Sequence, residues 1–371
     1  MAEEDLFESV PNFSEGRRGD VIDAIAAAAA AEAHVLDTDA DPDHNRVVVS
    51  IAGSRSHVVG ALLGAIGAAV ERIDLRSHSG VHPRVGAADV IPIVPLGEAA
   101  LETAREIAHD TGKRVWAELK VPVYFYGHGE GRTLADIRAG RVKPDLGGPD
   151  LHPTAGAVCV GARRTLVAFN VMLFDTDLVA ARAVARSIRE SAAGLRGVQA
   201  LAFELPGERV QLSMNLFRVD ETSPADVIAE LARRGVAMGA EQVVGLCPAL
   251  VATPAADGRI LEGRLASAGA AAGSARCSES GGEEHAALAV RLTREADELA
   301  RLPADQDAIL AGAERAAALV RVLQAAQVLD GAGTAIDLDP VAVAPEVTRR
   351  IAQLPNRVRL MSIRVETHGT A

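Results

Sequence analysis

The sequence predicts an α/β (α+β) fold: two subdomains in which mixed sheets are covered by helices, followed by a helical C-terminal tail. Three observations predict it. Apolar residues recur at helical spacing in stretches that alternate with short β-branched runs. The alternation restarts after a change near Leu173–Asp177. A segment of small and polar residues without periodicity, 268–283, then sets off the last part of the chain.

In chain order, 19–33 reads as a first helix and 47–51 as a strand. Residues 54–70 place Val59, Leu62, Leu63, Ile66 and Val70 on one helical face, which predicts an amphipathic helix against a core. Residues 90–94, 121–126 and 165–171 read as strands, with a helix over 98–112 between the first two. Pro92 marks 90–94 as an edge strand or the site of a bulge. A helix around 175–189 opens the second set. Residues 198–203 and 209–214 form a hairpin turned at Pro206-Gly207. In its second strand Val210, Leu212 and Met214 alternate with Gln211, Ser213 and Asn215, giving an apolar face and a polar face that is either solvated or lines a cleft. Ser223-Pro224 caps and starts a further helix that Gly235 ends. The domains expected are 1–173, 174–267, the linker 268–283 and a tail over 284–371, with helix-like stretches at 285–302 and 305–325.

The 371 residues are 49% hydrophobic and 24% charged, the mix of a globular chain with a sizeable core. Aromatic residues are only 3%, so that core is built from Ala, Val, Leu and Ile. Lys plus Arg is 38 against 50 Asp plus Glu, a net charge of −12. Such a surface repels phosphate backbones and anionic lipid, which argues against nucleic-acid and membrane partners. The run 24–33 is too short to span a bilayer. The acidic start MAEEDLFESV is unlike a signal peptide. Cys159, Cys247 and Cys277 form no CxxC pair, consistent with a reducing compartment. A cytoplasmic protein is expected.

Nucleotide motifs are absent: no GxxxxGK[ST] occurs, and Gly127-His128-Gly129-Glu130-Gly131 lacks the spacing of GxGxxG. Asp37, Asp39, Asp41 and Asp43 resemble a calcium loop, but Pro42 and Val48 stand where Gly and Glu are needed. His78 and His82 are four apart, yet Gly80 and Pro83 rule out a regular helix and no Glu or Cys completes a zinc set, so no metal is expected. What remains is a turn-rich segment, Ser77-His78-Ser79-Gly80-Val81-His82-Pro83-Arg84, feeding a strand. Taken alone, His82 is either a surface histidine or an acid–base residue at the mouth of a sheet.

These residues resemble the formiminotransferase domain of glutamate formimidoyltransferases and formimidoyltransferase-cyclodeaminases. The resemblance runs in order through Val10-Pro11-Asn12-Phe13-Ser14-Glu15-Gly16, Leu36-Asp37-Thr38-Asp39 and Gly80-Val81-His82-Pro83-Arg84-Val85-Gly86. It continues through Val121-Pro122-Val123-Tyr124-Phe125-Tyr126-Gly127, Pro144-Asp145-Leu146-Gly147, Ala168-Phe169-Asn170, Ser213-Met214-Asn215-Leu216 and Val244-Gly245-Leu246. It covers roughly residues 8–250. The resemblance implies two α/β subdomains with a folate site in the groove between them, a homodimer, and transfer of the formimidoyl group of N-formimidoyl-L-glutamate to N5 of tetrahydrofolate, a co-substrate. It maps the catalytic histidine onto His82 and the folate-binding stretch onto Gly147–Gly156, with Gly147, Gly148, His152, Thr154 and Gly156 as candidate contacts.

That chemistry needs one group to take a proton from N5 and give one to the departing glutamate nitrogen, which an imidazole of ordinary pKa about 6.5 can do. Asp39 is the candidate to orient His82, or else a loop residue capping a turn. Both substrates are anionic, so Arg84 and Arg163 are candidates to grip carboxylates. Glu241 is the candidate for the pterin's amino-pyrimidinone edge, and Ser213 and Asn215 are candidates to line the groove. The chain departs from the family's pattern in four places: Ala155-Gly156 stands where mammalian-type domains have a Trp-Gly pair, the loop after Tyr126 is shorter than in animal members, the match fades at Cys247-Pro248-Ala249, and the glycine-rich motif of the cyclodeaminase is missing. The competing readings are a folate-dependent one-carbon transferase with another donor or acceptor, such as 5-formyltetrahydrofolate, and a folate-binding sensor without catalysis.

Overall fold

The computed structural model describes residues 5–97, 99–248, 251–257, 259–261, 264–265 and 268. The linker beyond residue 268 and the tail with its two expected helices lie outside the described residues. Residues 6–95 and 99–245 form one compact unit, and the described residues from 246 onward belong to a second. In that second unit the Cys247 amide donates to the Arg259 carbonyl and the Leu261 amide donates to the Cys247 carbonyl.

The first unit holds both sheets, and the first of them is mixed and seven-stranded. Its strands are β1 (Phe7–Ser9), β2 (Asn12–Phe13), β3 (His34–Asp41), β4 (Arg46–Gly53), β5 (Ala88–Pro95), β6 (Val123–Gly127) and β7 (Val158–Ala162). β4 pairs β3 on one side and the successive short strands β1 and β2 on the other; β1 and β2 also pair β5. β5, β7 and β6 then run parallel. Helices α1 (Gly19–Ala30), α2 (Arg55–Arg72) and α3 (Leu101–Arg114) bury their apolar stripes with this sheet in one core that includes Phe7, Phe13, Ile25, Ile51, Leu62, Ile66, Ile91 and Ile107. Of the face expected on α2, Val59, Leu62, Leu63 and Ile66 are buried and Val70 packs partly buried against the same core. A smaller cluster of Val90, Tyr124, Tyr126, Cys159 and Ile137 includes the buried residue of helix α4 (Leu134–Arg138).

Pro92 lies in an interior strand, not at an edge. Its position falls opposite Val10-Pro11, where β1 has ended and β2 has not begun, so no ladder bond is lost to its missing N–H. The Ser9 hydroxyl donates to the Pro92 carbonyl at 2.6 Å and closes the gap.

The second sheet is antiparallel, ordered β11–β8–β10–β9, from β8 (Val167–Leu173), β9 (Val198–Leu205), β10 (Arg209–Leu216) and β11 (Met238–Val244). The chain therefore changes sheet within residues 163–166, ahead of the 173/174 division suggested by the sequence, because β8 pairs β10 and β11 rather than any strand before it. The turn at Gly207 and Glu208, both at positive φ, joins the expected hairpin. Helix α5 (Leu178–Ile188) packs on β9 and β10. Helix α6 (Pro224–Arg233) starts with a reciprocal Ser223–Asp226 capping box and buries Val227 and Leu231. On β8 and β10 the residues Val167, Phe169, Val171, Val210, Leu212 and Met214 are buried. Asn170, Met172, Gln211, Ser213 and Asn215 occupy the opposite face.

Gly86 shows how tightly the segment before β5 is laid against the strand region before β7: a Cβ there would fall 1.8 Å from the Ala157 carbonyl oxygen. Gly86→Ala is expected to cost about 1–3 kcal/mol by overpacking, read as a lowered urea midpoint. Gly19→Ala, where a Cβ meets nothing within 4 Å, is expected to stay within about 0.5 kcal/mol of the parent.

Candidate active site

His82 sits in the irregular segment between the short turn Leu75–Ser77 and β5. Gly80 lets that segment pass against the backbone of His44, whose carbonyl oxygen would lie 2.4 Å from a Cβ. Asn45 holds the same stretch by donating from Nδ2 to the Ser79 carbonyl at 2.9 Å. The His82 carbonyl accepts from Arg84 Nε at 3.2 Å and from its Nη2 at 2.9 Å. The ring's Nδ1 donates to the Pro83 carbonyl at 2.7 Å, which leaves the lone pair of the neutral ring on Nε2. Asp39 is the sequence's candidate to orient this ring, but it is the Pro83 carbonyl that holds Nδ1. Asp39 Oδ2 instead accepts the Gly245 amide at 2.9 Å, tying β3 to the end of β11.

Beneath the ring lies a buried charge cluster. Asp89, with no exposure, accepts the Val85 amide at 2.6 Å through Oδ1. Its Oδ2 accepts Arg46 Nη1 at 2.7 Å and Arg138 Nη2 at 3.1 Å. Burial works against this carboxylate, but the two guanidiniums outweigh it and hold its pKa below the usual range. The same surroundings act on His82: burial, then the positive charges of Arg46 and Arg138, pull its pKa down to about 3 against the opposing pull of Asp89. The near-neutral value expected from sequence is therefore corrected; the ring is a neutral base across ordinary pH.

The second sheet supplies the facing wall. Phe203, on the polar face of β9, lies 6.0 Å from the His82 ring and 5.7 Å from that of His44, centroid to centroid. His44 and His82 are 6.2 Å apart, edge to face. Buried His44 is fixed by Asp41, whose Oδ2 is 2.7 Å from its Nδ1 and whose Oδ1 accepts its amide at 2.8 Å. Burial opposes the charge on Asp41, yet these bonds keep its pKa lowered. Sequence reasoning missed Phe203 and His44. The signals were an Asp-x-x-His spacing in the β3–β4 turn and an aromatic residue on the polar register of β9.

The loop mapped as the folate stretch lies alongside the His82 segment. His152 and Gly156 exchange backbone hydrogen bonds at 2.8 and 2.9 Å, and the His152 ring Nδ1 accepts the Ala155 amide at 3.0 Å. Ala87 and Leu75 donate their amides to the carbonyls of Ala155 and Thr154. Gly147, at φ +70°, packs so closely on the Trp116 ring that a Cβ would come within 2.5 Å. Trp116 thus sets an aromatic face beside the start of the loop that lacks the mammalian-type Trp-Gly pair. Gly148 is exposed.

Arg84 clasps the His78 ring as well as the His82 carbonyl, so it positions the segment, and His78 is committed to it. Arg163 follows β7, its amide on the Ile93 carbonyl and its guanidinium on the Arg164 carbonyl; burial lowers its pKa, countered by Tyr126 and Glu8. Ser213 stands on the polar face opposite Asn170, and Asn215 on the same face is exposed. Glu241 is turned away from that face. A bulge between Met238 and Glu241 shifts the register by one residue, pairing Glu241 with Val171 and Gln242 with Asn170. Among the described residues no group of three or more His, Cys, Asp and Glu is placed to hold a metal ion.

Because His82 titrates at about 3 in the folded protein and at about 6.5 when unfolded, the unfolded chain binds a proton between those values that the folded protein does not. Stability from this group is complete above that window and is lost as pH falls through it. Urea midpoints measured from pH 7 to 4 are expected to fall more steeply for the parent than for His82→Asn; parallel slopes would contradict the half-buried, neutral ring.

Residues 6–163 match the model of the formiminotransferase domain, N-terminal subdomain. The chain is 40% identical over 268 residues to a glutamate formimidoyltransferase of Thermoplasma acidophilum, across 66% of this chain and 88% of that protein. It is 35% identical over 267 residues to a glutamate formimidoyltransferase of Streptococcus pyogenes, across 66% and 89%. With a formimidoyltransferase-cyclodeaminase of Rattus norvegicus it shares 36% identity over 272 residues, which is 66% of this chain and 50% of the longer protein. The matched stretch carries His82, the Asp89 cluster and the 147–156 loop, and the chain belongs to the formiminotransferase family.

Proposed function

We propose that this chain moves the formimidoyl group of N-formimidoyl-L-glutamate to N5 of tetrahydrofolate, releasing L-glutamate. The observation that carries the reading is the placement of His82: its Nδ1 donates to the Pro83 carbonyl, its ring lies 6.0 Å from Phe203 of the second sheet, and the stretch that follows it bridges the 147–156 loop through Gly86 and Gly156.

N5 attacks the amidine carbon and forms the new C–N bond. Its proton passes to His82 Nε2. The bond from that carbon to the glutamate nitrogen then breaks as this nitrogen takes the proton from the ring, so one proton is moved and none is left over. An imidazole held at a low pKa accepts poorly on its own. The carboxylates of both substrates add negative charge beside Arg46 and Arg138, which raises the ring's proton affinity when the groove is filled. His44 on its Asp41 partner lies against His82 and limits where the ring can swing. Tetrahydrofolate is a co-substrate in this scheme. None of the described helices is long and apolar enough to cross a membrane. Cys159 and Cys247 are buried thiols, which supports a reducing cytoplasm. A homodimer belongs to the same proposal.

The test is to incubate the pure protein with tetrahydrofolate and N-formimidoyl-L-glutamate and follow 5-formimidoyl-tetrahydrofolate. His82→Ala is expected to lose about 10²–10⁴-fold in kcat while still binding 5-formyltetrahydrofolate. Folate binding by the parent without turnover, or undiminished turnover in the variant, would overturn the assignment.

A further inference from the structure

A cleft of about 330 Å³ lies between the end of β3 and the polar face of the second sheet, a volume at the small end of ligand pockets. Asp41 and Pro42 form one wall; Asn170, Gln211 and Gln242 form the other with Met172. Asn170 and Gln211 are each only 5% exposed, a degree of burial at which carboxamides ordinarily have full sets of partners. Here they do not. Asn170 Nδ2 reaches Gln242 Oε1 at a long 3.4 Å, and Gln211 Nε2 reaches only the Met172 sulfur at 3.9 Å. Gln211 Oε1 has no hydrogen-bond partner.

An unpartnered buried carbonyl costs about 1–3 kcal/mol, and the neighbouring amides offer both donors and an acceptor to the same space. Among the described residues, the cation at the rim is Arg209, which is paired with Asp43. The cleft therefore suits a flat neutral edge with alternating donors and acceptors, not a carboxylate or phosphate. Asp41 lines the cleft and also holds His44, whose ring is 6.2 Å from that of His82. A bicyclic ligand seated here has its second ring on the side of the histidine pair.

We infer that Asn170, Gln211 and Gln242 form the subsite for the amino-pyrimidinone edge of a reduced pterin. The inference rests on the formimidoyltransferase reading and replaces Glu241, which the β11 bulge turns away, by its neighbour Gln242.

The test uses the full chain and the variants Gln211→Leu, Gln242→Leu and the pair. Leu at 211 removes an unsatisfied polar group, so the melting temperature is expected to hold or rise. Each single variant is expected to raise KM for tetrahydrofolate and Kd for 5-formyltetrahydrofolate about tenfold or more, with KM for N-formimidoyl-L-glutamate within about twofold. 6-Methyltetrahydropterin, which lacks the glutamate tail, is expected to compete on the parent and not on the double variant. Folate affinity unchanged in the variants, in a parent that binds folate, would overturn this subsite alone. A parent that binds no folate would overturn the proposed function with it. A rise in KM for N-formimidoyl-L-glutamate instead would assign the cleft to the donor and contradict the inference.

Discussion

One buried carboxylate holds the site together. Asp89 joins β4 through Arg46, α4 through Arg138, and the histidine segment through the Val85 amide. Burying an ion pair gains little net stability, because desolvation offsets attraction, whereas removing one member strands the others without solvent. Two guanidiniums share one carboxylate, so the cluster keeps surplus positive charge under His82. That surplus, added to burial, keeps the ring neutral and leaves room for anionic substrates in a chain whose net charge is −12.

The second sheet contributes a surface more than a scaffold. Its apolar face is spent on its own core, and its polar face turns Phe203, Asn170, Gln211 and Gln242 toward the β3–β4 turn and the histidine segment. The Asp39 bond to the Gly245 amide and the Arg209–Asp43 pair fasten the same two regions. Asp41 connects them chemically, since it fixes His44 with one carboxylate and walls the cleft.

Much of this was legible in the sequence where local physics decides. The α2 face follows from 3.6-residue periodicity, the β9–β10 hairpin from alternation around Pro206-Gly207, and the α6 start from Ser223, Pro224 and Asp226. His82 stood out because Gly80 and Pro83 break regular structure around it. The misreadings come from pairings between distant segments. Thr165–Val171 reads from sequence as a strand of the first subdomain, and only its partners β10 and β11 place it in the second sheet. Pro92 reads as an edge strand or a bulge, and only the distant break between β1 and β2 opposite it shows that the irregularity lies in an interior strand. Glu241 lost its face to a one-residue bulge, and Arg84 turns inward to the His82 carbonyl and the His78 ring. Asp39 matched the expectation of a carboxylate for the histidine, but the adjacent Pro83 carbonyl reached Nδ1 first.

The central claim is a neutral His82 ring with its proton on Nδ1 and its lone pair on Nε2. Nitrogen-15 NMR of histidine-labelled protein at pH 7, with the signal assigned through His82→Asn, reads both protonation and tautomer directly. The account predicts a protonated Nδ1, a bare Nε2, and a move of Nε2 toward the protonated range when both anionic ligands, 5-formyltetrahydrofolate and glutamate, are added. An imidazolium in the free protein, or a ring carrying its proton on Nε2, would contradict it.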